Sequence, residues 1–207
     1  MAKINKLTDA LDDGATKRNQ PRGEKRFRDL IDTATELFIR KGVSETTIDD
    51  IVSQAGIAKG TFYHHFNSKA ALLVAIKETV MQDFETHVAN ELAVVATDDP
   101  VRRLNVWVRA FCEAYAMMVP RQDIAFVSDG YRWSPRYHNH LIELVALLKQ
   151  GNIGDCWFVE DLYTTAIFIE KALVGIMDDM ILTGSQVNGP SHYVMNLVNR
   201  LVGVKNK

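Results

Sequence analysis

Residues 46–73 read TTIDDIVSQAGIAKGTFYHHFNSKAALL, and this stretch decides the fold. Thr47-Ile48-Asp49-Asp50 has the form of a capping box, with Asp50 where Glu or Gln is usual, so a helix starts at Thr47. Ile51, Val52 and Gln54 carry it to Ala55-Gly56, where glycine supplies the turn. A short helix, Ala58 to His64, follows that tight turn. Ser68 then caps a long helix with Leu72, Leu73, Ile76, Val80, Phe84 and Val88 on one side.

Two short helices joined by a glycine-containing turn form a helix-turn-helix, whose second helix enters the DNA major groove. The surface of the second helix is unusual for a structural corner. Ile57, Phe62 and Phe66 can face inward, which leaves Lys59, Gly60, Thr61, Tyr63, His64 and His65 as one polar and aromatic surface. A helix this short is not stable alone. Gly60 inside it costs about 1 kcal/mol relative to Ala, which makes sense if something must approach the backbone closely. Lys69 stands in the first turn of the long helix, where free N–H groups and the dipole already favour an anion. A cation there is poor helix chemistry and good phosphate chemistry.

Working outward, the segment before the motif is helical too. Phe27, Leu30, Ile31, Ala34, Leu37 and Phe38 make one apolar face, closed by Lys41-Gly42. Downstream, Asp98-Asp99-Pro100 opens a helix carrying Val101, Leu104, Val108, Phe111, Tyr115 and Met118, with Pro120 as its expected end. One more small helix is expected before Trp133. Ser134-Pro135 caps the next, which carries Leu141, Leu144, Val145 and Leu148 and stops at Gly151. Asp155 is read as the start of a helix that ends at Gly184, and a last helix spans Pro190 to Val202 before Gly203. No strand pattern, internal repeat or low-complexity segment interrupts this, so the class is all-α.

Charge sharpens the picture. The 207 residues carry 24 Lys and Arg against 26 Asp and Glu, a net −2. That sum hides an asymmetry: residues 1–70 hold twelve cations and ten anions, and the remainder twelve and sixteen. Lys17, Arg18, Arg22, Lys25, Arg26 and Arg28 oppose Glu24 alone. A weakly basic head therefore precedes an acidic body. Residues 1–21 have mixed charge and few large apolar side chains, which suits a flexible extension. The N-terminus has no apolar core or cleavage site of a signal peptide. No run is long and apolar enough to span a membrane. Cys112 and Cys156 read as buried, reduced thiols.

Preceded by ATELFIRKGVSE (34–45), the motif resembles the DNA-binding domain of the TetR family of bacterial transcriptional regulators. The resemblance covers Glu24 to Ile76, and the order A-G-x-x-K-G-T-x-Y-x-H-F-x-S-K is matched nearly position by position. It implies that Lys59, Gly60 and Thr61 meet base edges, while Tyr63, His65 and Lys69 meet phosphates, with His64 and Thr47 also near the backbone. Arg22 and Lys25 can reach phosphates or the minor groove. Ala58 departs from the Ser or Thr of many relatives and cannot cap the recognition helix; Ala70 replaces a frequent Glu.

The resemblance further implies two parts after the extension. Residues 22–70 form a three-helix helix-turn-helix DNA-binding domain, and 71–207 a helical effector-binding and dimerisation domain. Homodimerisation is expected through the last two helices, where Gly175 among larger residues allows close approach, and double-stranded DNA with a pseudo-palindromic operator is the expected partner. Trp107, Phe111 and Tyr115, with Phe126, Tyr131 and Trp133, are read as an apolar pocket for a small effector, although such a stripe can also be plain core. A DNA binder of the same fold without a small-molecule effector is the alternative. No nucleophile elbow, P-loop or dinucleotide motif occurs, so an enzyme reading has no residues to stand on. His64-His65 project about 100° apart on a helix, and His138-Asn139-His140 lacks the surroundings of a nuclease metal site. No cofactor or metal is expected.

Overall fold

The computed structural model describes residues 20–126, 139–183 and 192–205. These form eight helices and no strand: α1 Gln20–Lys41, α2 Ile48–Ala55, α3 Lys59–His65, α4 Lys69–Val94, α5 Pro100–Phe126, α6 Asn139–Ile153, α7 Leu162–Leu182 and α8 His192–Val202. The small helix expected before Trp133, the Ser134-Pro135 cap, Gly184 and Pro190 lie outside the described residues. The chain divides into two compact units, 1–75 and 76–207, with the division inside α4.

In the first unit, α1 buries the apolar face read from the sequence: Leu30, Ile31, Ala34, Leu37 and Phe38 are all at most 4% exposed. α1 packs on α2, and Ile51 and Val52 of α2, Phe62, Phe66 and Leu72 are buried as well. Phe27 adds its ring 5.3 Å from that of Phe66. Each of the Leu, Ile, Val and Phe side chains contributes about 1.5–3 kcal/mol on burial. That burial holds α3 in place, since seven residues cannot sustain a helix by propensity.

In the second unit, α5 packs against α6, α7 and α8, and α6 against α7. Trp107 and Phe111 stack at 5.1 Å, and Tyr115, Leu144, Trp157, Ile169 and Leu173 complete a closed interior. Both cysteines are reduced and buried; burial first, then the Glu113 carboxylate, pushes the Cys112 thiol up to about 12.

Three helix limits differ from expectation, each for a tertiary reason. The chain passes through Pro120 and stays helical to Phe126, since proline removes one N–H without obliging the helix to stop. α6 runs through Gly151 to Ile153. Gly151 is there for packing: a β-carbon would overlap the Trp157 indole, which donates to the Leu148 carbonyl at 3.0 Å. Finally, α7 is capped by Asp161, whose carboxylate accepts from Thr164 N at 3.0 Å, rather than by Asp155. Asp155 lies in the preceding turn at φ +52° and pairs with Lys205.

Candidate nucleic-acid interface and effector cavity

The α2–turn–α3 corner is built from local chemistry. Thr47 Oγ1 accepts from Asp50 N at 3.1 Å and donates to Asp50 Oδ2 at 2.8 Å, while Thr47 N donates to the same carboxylate at 2.8 Å. The capping box is complete, with Asp in the Glu position. Lys41 Nζ reaches Asp50 at 2.8 Å, tying the end of α1 to the start of α2. The Lys41 hydrogen bond, then the Thr47 N–H and hydroxyl, hold the Asp50 carboxyl far below the usual carboxylate range. Gly56 ends α2 at φ +63° and ψ +34°, a conformation that favours glycine. Ala58 occupies the N-cap of α3 with no side-chain cap, as its lack of a polar atom requires.

The face of α3 follows. Phe62 is fully buried and Phe66 nearly so, while Lys59, Gly60, Tyr63 and His64 are exposed and Thr61 and His65 half-buried. Apart from its chain neighbours and the backbone of its own helix, nothing lies within 4 Å of where a Gly60 β-carbon would sit, so packing inside the unit does not call for glycine there. His65 rests its ring 6.1 Å from Phe27; burial first, then His64 and Arg26, lowers its pKa from 6.5. Lys59 Nζ lies 2.8 Å from Asp49 Oδ1 and 3.1 Å from Oδ2, and that pairing raises its pKa.

Two expected phosphate ligands are already engaged. The Thr47 hydroxyl serves the capping box. Lys69 Nζ donates to the carbonyls of Val43 at 2.7 Å, Thr46 at 2.9 Å and Ser44 at 3.4 Å. Its cation therefore collects the turn between α1 and α2, a role not apparent in the sequence. Arg22 is in α1 and Lys25 is exposed on it.

In the second unit, the aromatic stripe is interior. Trp107, Phe111 and Tyr115 are fully buried; Trp107 Nε1 donates to the His140 carbonyl at 3.2 Å and Tyr115 donates to Asp178 at 2.6 Å. Stripe residues facing α6 and α7 become core. Tyr131 and Trp133 lie outside the described residues, as do the placement of the Phe126 side chain and His138. A cavity of about 370 Å³ opens instead between α4 and α5, with Val80, Phe84, Ala114, Met117 and Met118 on its apolar side. Asp83, Thr86, His87, Asn90 and Arg121 form its polar side. His87 meets Glu113 at 3.3 Å, and Glu113 is held in turn by Arg109, which also binds Glu91 at 2.7 Å. His140 is buried between the rings of Phe84 and Phe111 and near Glu85 and Glu170, at 3.7 and 3.8 Å. Burial raises the Glu170 pKa, but His140 and Lys171 together bring it below normal. Among the described residues no His, Cys, Asp or Glu group could hold a metal, and no helix is long and apolar enough to cross a membrane.

A third surface is the outer side of the last two helices. On α7, Phe168, Ala172, Gly175, Asp179 and Leu182 are exposed at alternating steps of four and three; on α8, Tyr193, Leu197 and Leu201 are exposed. Gly175 again has open space where a β-carbon would lie.

Comparison with known proteins agrees with this construction. Residues 30–76 match the family model for bacterial regulatory proteins of the tetR family. An uncharacterized HTH-type transcriptional regulator, YerO of Bacillus subtilis (strain 168), is 51% identical over 55 residues, 27% of this chain and 19% of that one. The HTH-type transcriptional repressor DhaR of Mycobacterium sp. (strain GP1) is 32% identical over 84 residues, 41% of this chain and 42% of that one. The matches thus span less than half of either relative. Fold similarity extends further: FadR, a fatty acid degradation regulator from Bacillus halodurans, aligns with a TM-score of 0.62 at 20% identity, covering 88% of this chain and 97% of that one. AibR, solved with isovaleryl coenzyme A and operator DNA, aligns at 0.58 and 20% identity, covering 87% of this chain and 100% of that one. The helix-turn-helix of the first unit, residues 30–76, thus carries the signature of the tetR family of bacterial regulatory proteins.

Proposed function

We propose that this protein is a homodimeric, sequence-specific DNA-binding repressor released from a pseudo-palindromic operator by a small effector. The observation that carries the DNA reading is the outward face of α3. Gly60 leaves an open approach to the backbone, and Thr61, Tyr63 and His64 offer a methyl, a hydroxyl and a ring N–H beside it. A thymine methyl suits the first, and phosphate oxygens suit the others. The strip at heptad-like spacing on α7, with Gly175 at its middle, suits close packing against a symmetry mate, and α8 extends the same apolar character. Two heads related by a two-fold axis then read half-sites about 34–36 Å apart.

The cavity between α4 and α5 has the size and the mixed lining of a small-molecule site, and we assign the effector to it. An amphipathic molecule suits it, its apolar part against Met117, Met118 and Phe84. Release from DNA requires that the effector bind better to a conformation whose heads misfit the operator. No catalytic step enters this reading. The test is enrichment of bound duplexes from a random library, followed by footprinting. A single two-fold-related motif with half-sites one helical turn apart is expected. Enrichment of an unsymmetrical site, or of none, refutes the proposal.

A further inference from the structure

We propose that Asp49 is a specificity-determining positioning residue, which holds the Lys59 ammonium for base edges and withholds it from the phosphate backbone. The inference rests on the DNA-binding reading above. Asp49 and Asp50 stand side by side in the first turn of α2, yet they do different things. Asp50 completes the capping box and binds Lys41. Asp49 takes no part in the cap. Its carboxylate reaches across the Gly56 turn and grips Lys59 with both oxygens, at 2.8 and 3.1 Å.

The two side chains are 71% and 52% exposed, so the pair adds little to folding. Its effect lies in what it does to the lysine. In KGTFYHH, the sequence of α3, Lys59 is the one Lys or Arg. Binding to DNA of any sequence is driven by cations that meet phosphates and release counterions. A lysine already neutralised by a carboxylate gives nothing to that term until the pair breaks. Breaking it would also set a bare carboxylate beside the polyanion. Keeping the pair is compatible with base reading, because the ammonium has three donors and can spend one on guanine O6 or N7 while Asp49 fixes its direction. Asp49 thus lowers affinity for random DNA more than affinity for the operator.

The test compares full-length protein with Asp49→Asn, Asp49→Glu, Lys59→Met and the Asp49→Asn/Lys59→Met pair. Each is titrated against the library-selected operator and against a random-sequence duplex, over a range of salt. Asp49→Asn is expected to bind the random duplex about tenfold more tightly, to steepen log K against log[salt] by about 0.9 per head, and to narrow the operator-to-random ratio about tenfold. Asp49→Glu should keep the wild-type ratio, and in the Lys59→Met background the Asn change should lose most of its effect. An unchanged ratio in Asp49→Asn overturns the inference and leaves DNA binding standing. An equal effect with and without Lys59 also overturns it, since Asp49 would then act by bulk repulsion. Failure of the wild type to prefer any duplex removes the DNA reading and this inference with it.

Discussion

Replacing Lys69 by Met separates two roles that a cation at the start of α4 can play. Met keeps the aliphatic stem and deletes the ammonium. In the folded unit that ammonium meets three carbonyls, two of them part-buried at 2.7 and 2.9 Å and one exposed at 3.4 Å. Hydrogen bonds from a charged group are worth about 1.5–3 kcal/mol each, but the long third bond counts for little, and water can reach the half-exposed site once the lysine is gone. A net loss of about 2 kcal/mol follows. For a domain of this size that is a fall in melting temperature on the order of 10 °C. The assays are thermal denaturation, amide exchange in residues 42–48, and operator affinity as a function of salt. Faster exchange in that turn and a lower melting temperature, with the salt slope unchanged, are expected. The reasoning is refuted if stability and exchange match the wild type while the slope flattens by about 0.9 per head. Lys69 would then be a phosphate ligand, and its carbonyl contacts incidental.

Other substitutions probe the remaining features. Gly60→Ala should stabilise the free first unit by about 0.5–1 kcal/mol, because nothing stands in the way of a methyl and the backbone is not left-handed there, yet weaken operator binding about tenfold; melting and binding that move in the same direction would contradict it. Gly175→Arg should abolish the dimer in sedimentation velocity while leaving the helical signal intact, and a persisting dimer would move the interface elsewhere. Gly151→Ala should cost about 3 kcal/mol by displacing the Trp157 indole and its bond to Leu148, visible as red-shifted tryptophan emission; wild-type melting would refute the packing account. His65 has a lowered folded pKa, so the folded state binds a proton less readily than the unfolded one. Its contribution to stability is whole above 6.5 and lost as pH falls through the lower folded value, and His65→Phe should flatten that part of the pH profile in chemical denaturation.

Features decided within a few residues were legible in the sequence. Thr47 and Asp50 are three apart and satisfy each other, Gly56 answers a local backbone demand, and the alternation of Phe62 and Phe66 with Lys59, Tyr63 and His64 sets a buried and an open side. Features decided at a distance were not. Lys69 looked like an anion ligand because its partners lie 23 to 26 residues back, on carbonyls that no side-chain pattern records. Gly151 looked like a helix stop because the reason for it, Trp157, is outside the helix. Asp155 and Asp161 are equally good caps in isolation, and only the Asp161 carboxylate finds Thr164. The i, i+4, i+8 row of Trp107, Phe111 and Tyr115 is compatible with pocket or core, and packing against α6 and α7 made it core. The α4–α5 cavity has no counterpart in spacing, since it is a gap between helices rather than a motif in either.

The turn between α1 and α2 is fastened on both of its chemical sides: Asp50 collects N–H and hydroxyl donors, and Lys69 collects carbonyls. Among the described residues the side chains of Thr61, Tyr63 and His64 lend no hydrogen bond to that fastening. Under the proposed DNA reading by α3, folding and reading fall to different atoms. A lineage can exchange the outward residues of α3 one at a time without passing through an unfolded intermediate, so divergence of preference is limited by what the new surface meets and hardly at all by what the scaffold tolerates. A chimera that carries a different α3 face on this framework should fold at the first attempt.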